Sequence, residues 1–175
     1  MDVSQAIRLK RAVRSFAGEP LPEPALRAIL NAGRRAQSAK NRQAWHFTVI
    51  RDREILARLA SLGTYAAHLS GAAAAIAILT PSPDERWSIM FDAGQAAAYM
   101  QLAAWELGIA SCPATIYQTE EARQLLGFPA DLHLRVVFSF GYPADPGVLT
   151  APPHPGGRKP LAQLVSFERW QEPSP

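Results

Sequence analysis

The chain has 175 residues, a single cysteine and a formal charge of +3, with 48% hydrophobic and 19% charged residues. This composition excludes a disordered chain and an internal disulfide scaffold, and the length predicts one domain with a real hydrophobic core. The longest apolar run, residues 71–79, is too short to span a bilayer, and the basic residues are scattered, so we expect a cytoplasmic protein without membrane or nucleic-acid partners.

Helical and strand patterns alternate along the chain. Apolar spacing and capping residues predict helices over 3–12, 24–36, 52–63, 84–108 and 119–127. Short runs rich in β-branched and aromatic residues predict strands over 45–50, 109–115 and 134–142. The run 73–80 suits a buried strand, although its alanines would also fit a helix.

Alternating elements around one long apolar helix indicate a single α+β or α/β domain over 1–175. The segment 143–160 is rich in Pro and Gly, and it opens a C-terminal part, 143–175, that we expect to be extended. This part is either a surface tail or an arm that packs on another subunit.

The familiar catalytic and metal-binding motifs are absent from the sequence. There is no G-x-G-x-x-G after a strand, no P-loop and no G-x-S-x-G elbow, and the four histidines lack metal-like spacing. Cys112 precedes a proline in an apolar strand, which predicts a buried structural thiol. An enzyme built on this chain would therefore need an organic cofactor.

Two basic clusters stand near the two ends of the chain. KRAVRSF carries Lys10, Arg11 and Arg14 at the end of the first predicted helix, and GGRKPL carries Arg158 and Lys159. Cations at a helix C-terminus complement the helix dipole, which is one interpretation of the first cluster. A bound phosphate is the other interpretation, because guanidinium and ammonium groups are its usual partners.

The junction SAKNRQAWHF, residues 38–47, joins a predicted helix to a predicted strand without Gly or Pro. Ser38, Asn41 and Gln43 offer hydroxyl and amide groups that can pair with a heterocycle or a polyol. The same side chains could instead satisfy free carbonyl groups at the helix end.

Taken together, the order and spacing of these motifs resemble the nitroreductase family of FMN-dependent flavoproteins over about residues 3–165. KRAVRSF is similar to the basic motif that opens the family, with Ala12 in the place of the usual serine. AQSAKNRQAWHF is similar to A-P-S-x-x-N-x-Q-P-W-x-F, with Gln37 and Ala44 in place of the two prolines. Later segments of the family resemble FDAGQAAAYMQLAAWELGIASC, VVFSFGYP and RKPLAQLV.

The resemblance implies an α+β nitroreductase-like fold, with a central, mostly antiparallel sheet flanked by helices and a long apolar core helix. It also implies a homodimer that exchanges its C-terminal arms and holds FMN at the subunit interface. NADH or NADPH would supply hydride to the flavin, and a small oxidised acceptor, such as a nitroaromatic or a quinone, would take it in the same slot. Other redox reactions on the same fold (dehalogenation, ring oxidation, flavin fragmentation) and an FMN-binding protein without turnover remain open.

The resemblance also assigns residues. Its cofactor-binding set is Lys10, Arg11, Ala12, Arg14, Gln37, Ser38, Ala39, Asn41, Pro113, Ala114, Arg158 and Lys159. The two basic clusters would hold the phosphate and ribityl chain, the 37–41 segment would reach the flavin from the second subunit, and the 113–114 backbone would lie beside the ring. Arg14 would stabilise negative charge around N1 and C2=O of the reduced ring. No side chain is expected to act as a catalytic acid or base, and the acceptor slot is expected to be lined by Tyr65, His68, Trp87 and Phe91.

Overall fold

The computed structural model describes residues 2–152 and 157–172, so His154 and Gly156 lie outside the described residues. Its helices are α1 (Val3–Leu9), α2 (Glu23–Arg34), α3 (Arg53–Ser61), α4 (Ser88–Glu106) and α5 (Thr119–Leu126). Its strands are β1 (His46–Ile50), β2 (Ala74–Thr80), β3 (Ala110–Thr115) and β4 (His133–Gly141).

The four strands form one antiparallel sheet in the order β1-β2-β4-β3. The alanine-rich run is strand β2, and all of its residues are buried because it lies at the centre of the sheet between two layers of helices. At the middle of the sheet, Ile76 lies opposite Val49 on one side and Phe138 on the other. The predicted α+β class and antiparallel sheet are therefore confirmed.

Helices cover both faces of the sheet. One face packs against α2 and α4, and the other packs against α3 and α5. The α2–α4 contact is close because Gly33 has no side chain: a Cβ there would lie 2.7 Å from Cγ of Met100. Because α4 lies between α2 and the sheet, it is buried on most sides, which explains why its sequence is apolar nearly all round.

The predicted first helix was too long, because α1 ends at Leu9 and not at residue 12. Beyond Lys10 the chain is extended and runs beside β3, where the Val13 amide donates to the Ser111 carbonyl at 3.1 Å. The Ala17 amide then donates to the Tyr142 carbonyl at 2.9 Å. These long-range backbone hydrogen bonds replace the helical ones that a continued α1 would have made.

The C-terminal part is mostly irregular in the residues described. Pro146–Leu149 and Leu161–Gln163 form single 3₁₀ turns, so the predicted extended segment is interrupted at the first of these. Large apolar side chains in 157–172 are exposed to solvent; Phe167 is 76% and Trp170 78% exposed. Within the described residues, none of the helices has the length and apolar character needed to cross a membrane.

Candidate functional site: a basic pocket beside an edge strand

The end of α1 and the C-terminal part meet at an open pocket of about 460 Å³. The pocket is lined by residues 7–11 together with Gly157 and Arg158. The pKa of Lys10 is lowered by burial and also by the charge of Arg158, while Cys112 acts in the opposite direction. The structure therefore brings together two cations that are 148 positions apart in the sequence.

No carboxylate neutralises this cluster among the residues that the structure describes. The ion pairs of the described residues use Glu23 and Glu120, and neither of these acids pairs with Lys10, Arg14 or Arg158. Cations that converge without acidic partners repel one another, and a bound anion removes that repulsion. The pocket thus has the chemistry of an anion site.

Arg11 uses its guanidinium donors on backbone carbonyl groups. Its Nε donates to the Leu9 carbonyl at 3.1 Å, and Nη1 donates to the Pro152 carbonyl at 3.5 Å. Its Nη2 donates to the Ala151 carbonyl. The guanidinium group therefore ties the basic segment to the chain just before the C-terminal arm, which a phosphate-binding role alone would not predict.

A buried polar chain lies under Arg14. The Cys112 thiol is fully buried, and burial raises its pKa, while the nearby charges of Arg14 and Lys10 act to lower it. The Ser139 hydroxyl donates to the Cys112 carbonyl at 3.2 Å and lies 2.9 Å from His68 Nδ1. The prediction of a buried thiol is confirmed, and its carbonyl begins a hydrogen-bond chain that leads to a histidine.

The Ser139 hydroxyl holds one edge of the His68 ring. It lies 2.9 Å from Nδ1 and is also within hydrogen-bond distance of the Cys112 carbonyl, at 3.2 Å. Burial and the charge of Arg14 lower the pKa of His68, although the Pro113 carbonyl acts to raise it. Burial and the Arg14 charge thus favour the neutral ring, and its Nε2 is a buried nitrogen without a hydrogen-bond partner among the described residues.

That unpartnered nitrogen allows the fit of a flavin to be tested. The isoalloxazine ring carries an N–H donor and carbonyl acceptors, and the FMN phosphate needs cations, so an unpartnered imidazole nitrogen and a basic pocket suit the two ends of the molecule. Pro113 is exposed on β3, whereas Ala114 is buried in the core, so Ala114 can offer only backbone to a ligand. The residues present fit FMN.

The junction before β1 forms a loop with an unusual backbone. Lys40, Asn41 and Gln43 all have positive φ angles, of 55°, 53° and 49°, without any glycine. The Gln43 amide donates to Ser38 Oγ at 2.9 Å. The Ala39 amide donates to Oδ2 of Asp92 on α4 at 3.0 Å, a contact that was not predicted from the sequence.

The structure does not bring this loop to the basic pocket within one chain. Asp92 contacts the loop near one end of α4, and Trp105 packs on Val13 and Ala110 near the other end. The helical rise between Asp92 and Trp105 is about 20 Å. The two groups of candidate residues therefore lie at opposite ends of the long helix.

The other sequence-predicted residues are placed as follows. Ala12 is exposed and pairs by its backbone with Ser111, and Gln37 and Lys159 are exposed. Of the expected slot residues, Tyr65, Trp87 and Phe91 are exposed, while His68 is 7% exposed and lies in the buried chain instead. Sequence reasoning missed Asp92 and Ser139, whose partners lie 53 and 71 positions away along the chain.

The fold belongs to a class that solved structures define well. An FMN-dependent nitroreductase from Clostridium difficile R20291 superposes with a TM-score of 0.84 at 24% identity, over 96% of this chain and all of that one. Nitroreductase A from Vibrio parahaemolyticus superposes with a TM-score of 0.85 at 21% identity, over 98% of this chain and 78% of that one. At this level of identity, the likeness shows the fold.

Sequence comparison then gives the family. The model of the Nitroreductase family matches residues 7–63 and 60–142, and the chain belongs to this family. A protein of Archaeoglobus fulgidus, whose provisional name is NADH dehydrogenase/NAD(P)H nitroreductase, is 35% identical over 148 residues, covering 79% of this chain and 84% of that protein. The predicted family is confirmed, and membership makes the chain an oxidoreductase.

Proposed function

We propose that the protein is a homodimeric oxidoreductase that binds FMN at the subunit interface and transfers hydride from NADH or NADPH to a small oxidised acceptor. The observation that carries this proposal is the meeting of Lys10 and Arg158 at one pocket, with Arg14 close to Cys112 beside Lys10 and none of the three paired with an acid among the described residues. FMN and NAD(P)H are supported by the description of the C. difficile structure as FMN-dependent and by the name of the A. fulgidus relative. Nitroaromatics and quinones are the acceptor classes that we propose.

The residues of the basic pocket would act on the phosphate end of the cofactor. Lys10 and Arg158 would bind the phosphate, which is doubly charged near neutral pH. Arg14, whose charge is felt by both His68 and Cys112, would stabilise negative charge on the ring. FMN, when bound, supplies the chemistry of accepting and donating hydride.

A second copy of the chain would complete the site. The loop carrying Ser38, Ala39 and Asn41 lies about 20 Å from the basic pocket along α4, so one chain does not place both groups on one part of a ligand. In the two-fold symmetric dimer that we propose, the loop of each copy would face the pocket of the other. In this arrangement Gln37 would lie at the edge of the contact.

The C-terminal arm gives separate support for a dimer. Leu161, Leu164, Phe167 and Trp170 are all more than 60% exposed, so they remain uncovered by their own chain. Contiguous exposed apolar side chains mark an interaction surface. We propose that the C-terminal arm, 143–175, of the single domain 1–175 packs on the second copy, as the family resemblance implies.

The acceptor slot would be lined by aromatic side chains near the start of α4. The rings of Trp87 and Phe91 lie 6.2 Å apart at an angle of 56°, and both are exposed. Exposed aromatic faces can stack on a flat ring, whether nicotinamide or nitroaromatic. We assign Tyr65, which is also exposed, to the same slot.

The decisive experiment is spectroscopic. The purified protein should be yellow, and anaerobic addition of NADH or NADPH should bleach the flavin absorbance. Addition of a nitroaromatic or a quinone should then restore the absorbance. A protein that binds FMN but stays yellow with both nicotinamides would be a binding protein and not a reductase, and reoxidation by neither acceptor would overturn the acceptor classes.

The shared site can be tested by mixing two variants. Lys10→Gln damages the basic pocket and Asn41→Ala damages the loop, so each alone should bind FMN weakly. After the two are unfolded and refolded together, about one site in four should be intact, because half of the dimers are mixed and each has one undamaged site. The matched control carries both substitutions in one chain and is mixed with itself. Failure of the mixture to recover any FMN binding would refute a site shared between copies.

A further inference from the structure

The loop Ser38–Gln43 has a backbone that its own sequence does not favour. Lys40, Asn41 and Gln43 occupy the left-handed region, which asparagine tolerates but lysine and glutamine adopt rarely. These three side chains are exposed, so core packing does not impose the conformation. A loop of this kind persists where surrounding contacts determine its shape.

Several hydrogen bonds supply such contacts, and in two of them a backbone amide of the loop donates to a side-chain oxygen. One lies within the loop, from the Gln43 amide to Ser38 Oγ at 2.9 Å. The other leaves the loop, from the Ala39 amide to Asp92 Oδ2 at 3.0 Å. Only the second joins the loop to a helix.

Asp92 is an unusual group to find at this place. Its side chain is 3% exposed on a helix that is otherwise apolar on most sides, and it forms no ion pair among the described residues. A buried carboxylate is unfavourable unless hydrogen bonds stabilise it. Its neighbours Ala93, Ala96 and Ala97 are buried in the core, so the carboxylate is attached to a tightly packed part of α4.

We infer that Asp92 is a positioning residue, which fixes the Ala39 amide and so sets the orientation in which Ser38 and Asn41 meet the cofactor. The inference rests on the proposed function, because it takes the loop as part of the FMN site. Asp92 itself touches the loop backbone and is not a catalytic residue. The carboxylate takes over the role of rigid turn residues in a loop that has neither Gly nor Pro.

Three variants test this role. Asp92→Leu keeps a branched side chain, although a larger one, and removes the acceptor. Asp92→Asn keeps the volume and one carbonyl acceptor, and Glu106→Ala changes an exposed acid on the same helix as the matched control. For each, we would measure amide hydrogen exchange of residues 38–45 without FMN, the FMN dissociation constant by fluorescence quenching, and the thermal midpoint.

Asp92→Leu should speed exchange of the Ala39 amide and weaken FMN binding on the order of tenfold to a hundredfold, since a hydrogen bond to a charged group is lost. Asp92→Asn should recover much of both quantities, and Glu106→Ala should match the wild type. A merely structural role would lower the thermal midpoint without this selective change in loop exchange. Wild-type exchange and FMN affinity in Asp92→Leu would overturn the inference.

Two further outcomes stay informative. If Asp92→Leu does not fold, hydrogen exchange of the wild-type protein still tests the Ala39–Asp92 hydrogen bond. An Ala39 amide that exchanges as fast as the Lys40 amide would rule out this anchor. Should the wild type fail to bind FMN while Ala39 is protected through Asp92, the proposed function fails and the inferred role in cofactor binding fails with it, but the anchor itself stands.

Discussion

Arg11 offers a sharp test, because the family resemblance and the structure give it different partners. The resemblance assigns it to the FMN phosphate, whereas its guanidinium group donates to the carbonyls of Leu9, Ala151 and Pro152. Arg11→Lys separates the two roles. Lysine keeps the charge but loses the planar fork that reaches several carbonyls at once.

The magnitude follows from the contacts. Hydrogen bonds of this kind contribute about 1 kcal/mol each, and the freed carbonyls of Ala151 and Pro152 lie near the surface, where water can bind them. The longest contact, at 3.5 Å, contributes least. We expect Arg11→Lys to weaken attachment of the arm by about 1–2 kcal/mol, which is a factor of about 5–30 in the fraction of detached arms.

Limited trypsin digestion of the FMN-free protein measures that fraction, because Arg158 is a cleavage site in the arm. Cleavage there should speed up by the same factor, since it follows the population of the detached state when opening and closing are fast. Arg34→Lys, on an exposed face of α2, should leave cleavage unchanged. Wild-type cleavage in Arg11→Lys, together with weaker FMN binding, would refute the arm attachment and support a phosphate contact.

Three other predictions need only purified protein. Gly63→Ala should destabilise the fold by about 3 kcal/mol in urea unfolding, because a Cβ there would lie 2.1 Å from a β3 carbonyl oxygen that cannot move freely. Gly71→Ala is the control, since a Cβ at that position meets open space and should not change the stability. Equal stabilities of the two variants would contradict the packing argument. The free energy of unfolding should fall as pH decreases below about 6.5, since unfolded His68 takes up a proton that the folded ring resists, and His68→Gln should flatten this slope. Arg158→Gln should raise the pKa of Lys10, measured by NMR of the ammonium group, and an unchanged pKa would place the arm elsewhere.

Local pattern was enough to predict most of the elements. The apolar spacing of α2 and the β-branched run of β4 gave boundaries within about two residues of those observed. The end of α1 could not be predicted in this way, because a contact with Ser111 ends the helix and not a local stop signal. The alanine-rich β2 was ambiguous since its helical and strand tendencies are alike, and its neighbours in the sheet decide.

The residues of the candidate site were likewise predicted only in part. The basic residues and the loop stood out because they break an apolar background, so Lys10 and Arg158 were found from the sequence and meet in the structure. Asp92, His68 and Ser139 gain their roles only from partners that lie far away along the chain. The use of Arg11 was missed for the same reason, since its carbonyl acceptors lie about 140 positions away.

Because Cys112 is buried, a cysteine introduced in the C-terminal arm can be labelled selectively. Cys112 is the sole thiol of the chain, it is fully buried, and its raised pKa keeps it in the unreactive protonated form. A cysteine introduced at an exposed arm position such as Phe167 would therefore take up a maleimide dye or a nitroxide selectively, without removal of the native thiol. Distances between two such labels in a dimer would then follow the path of the arm in solution.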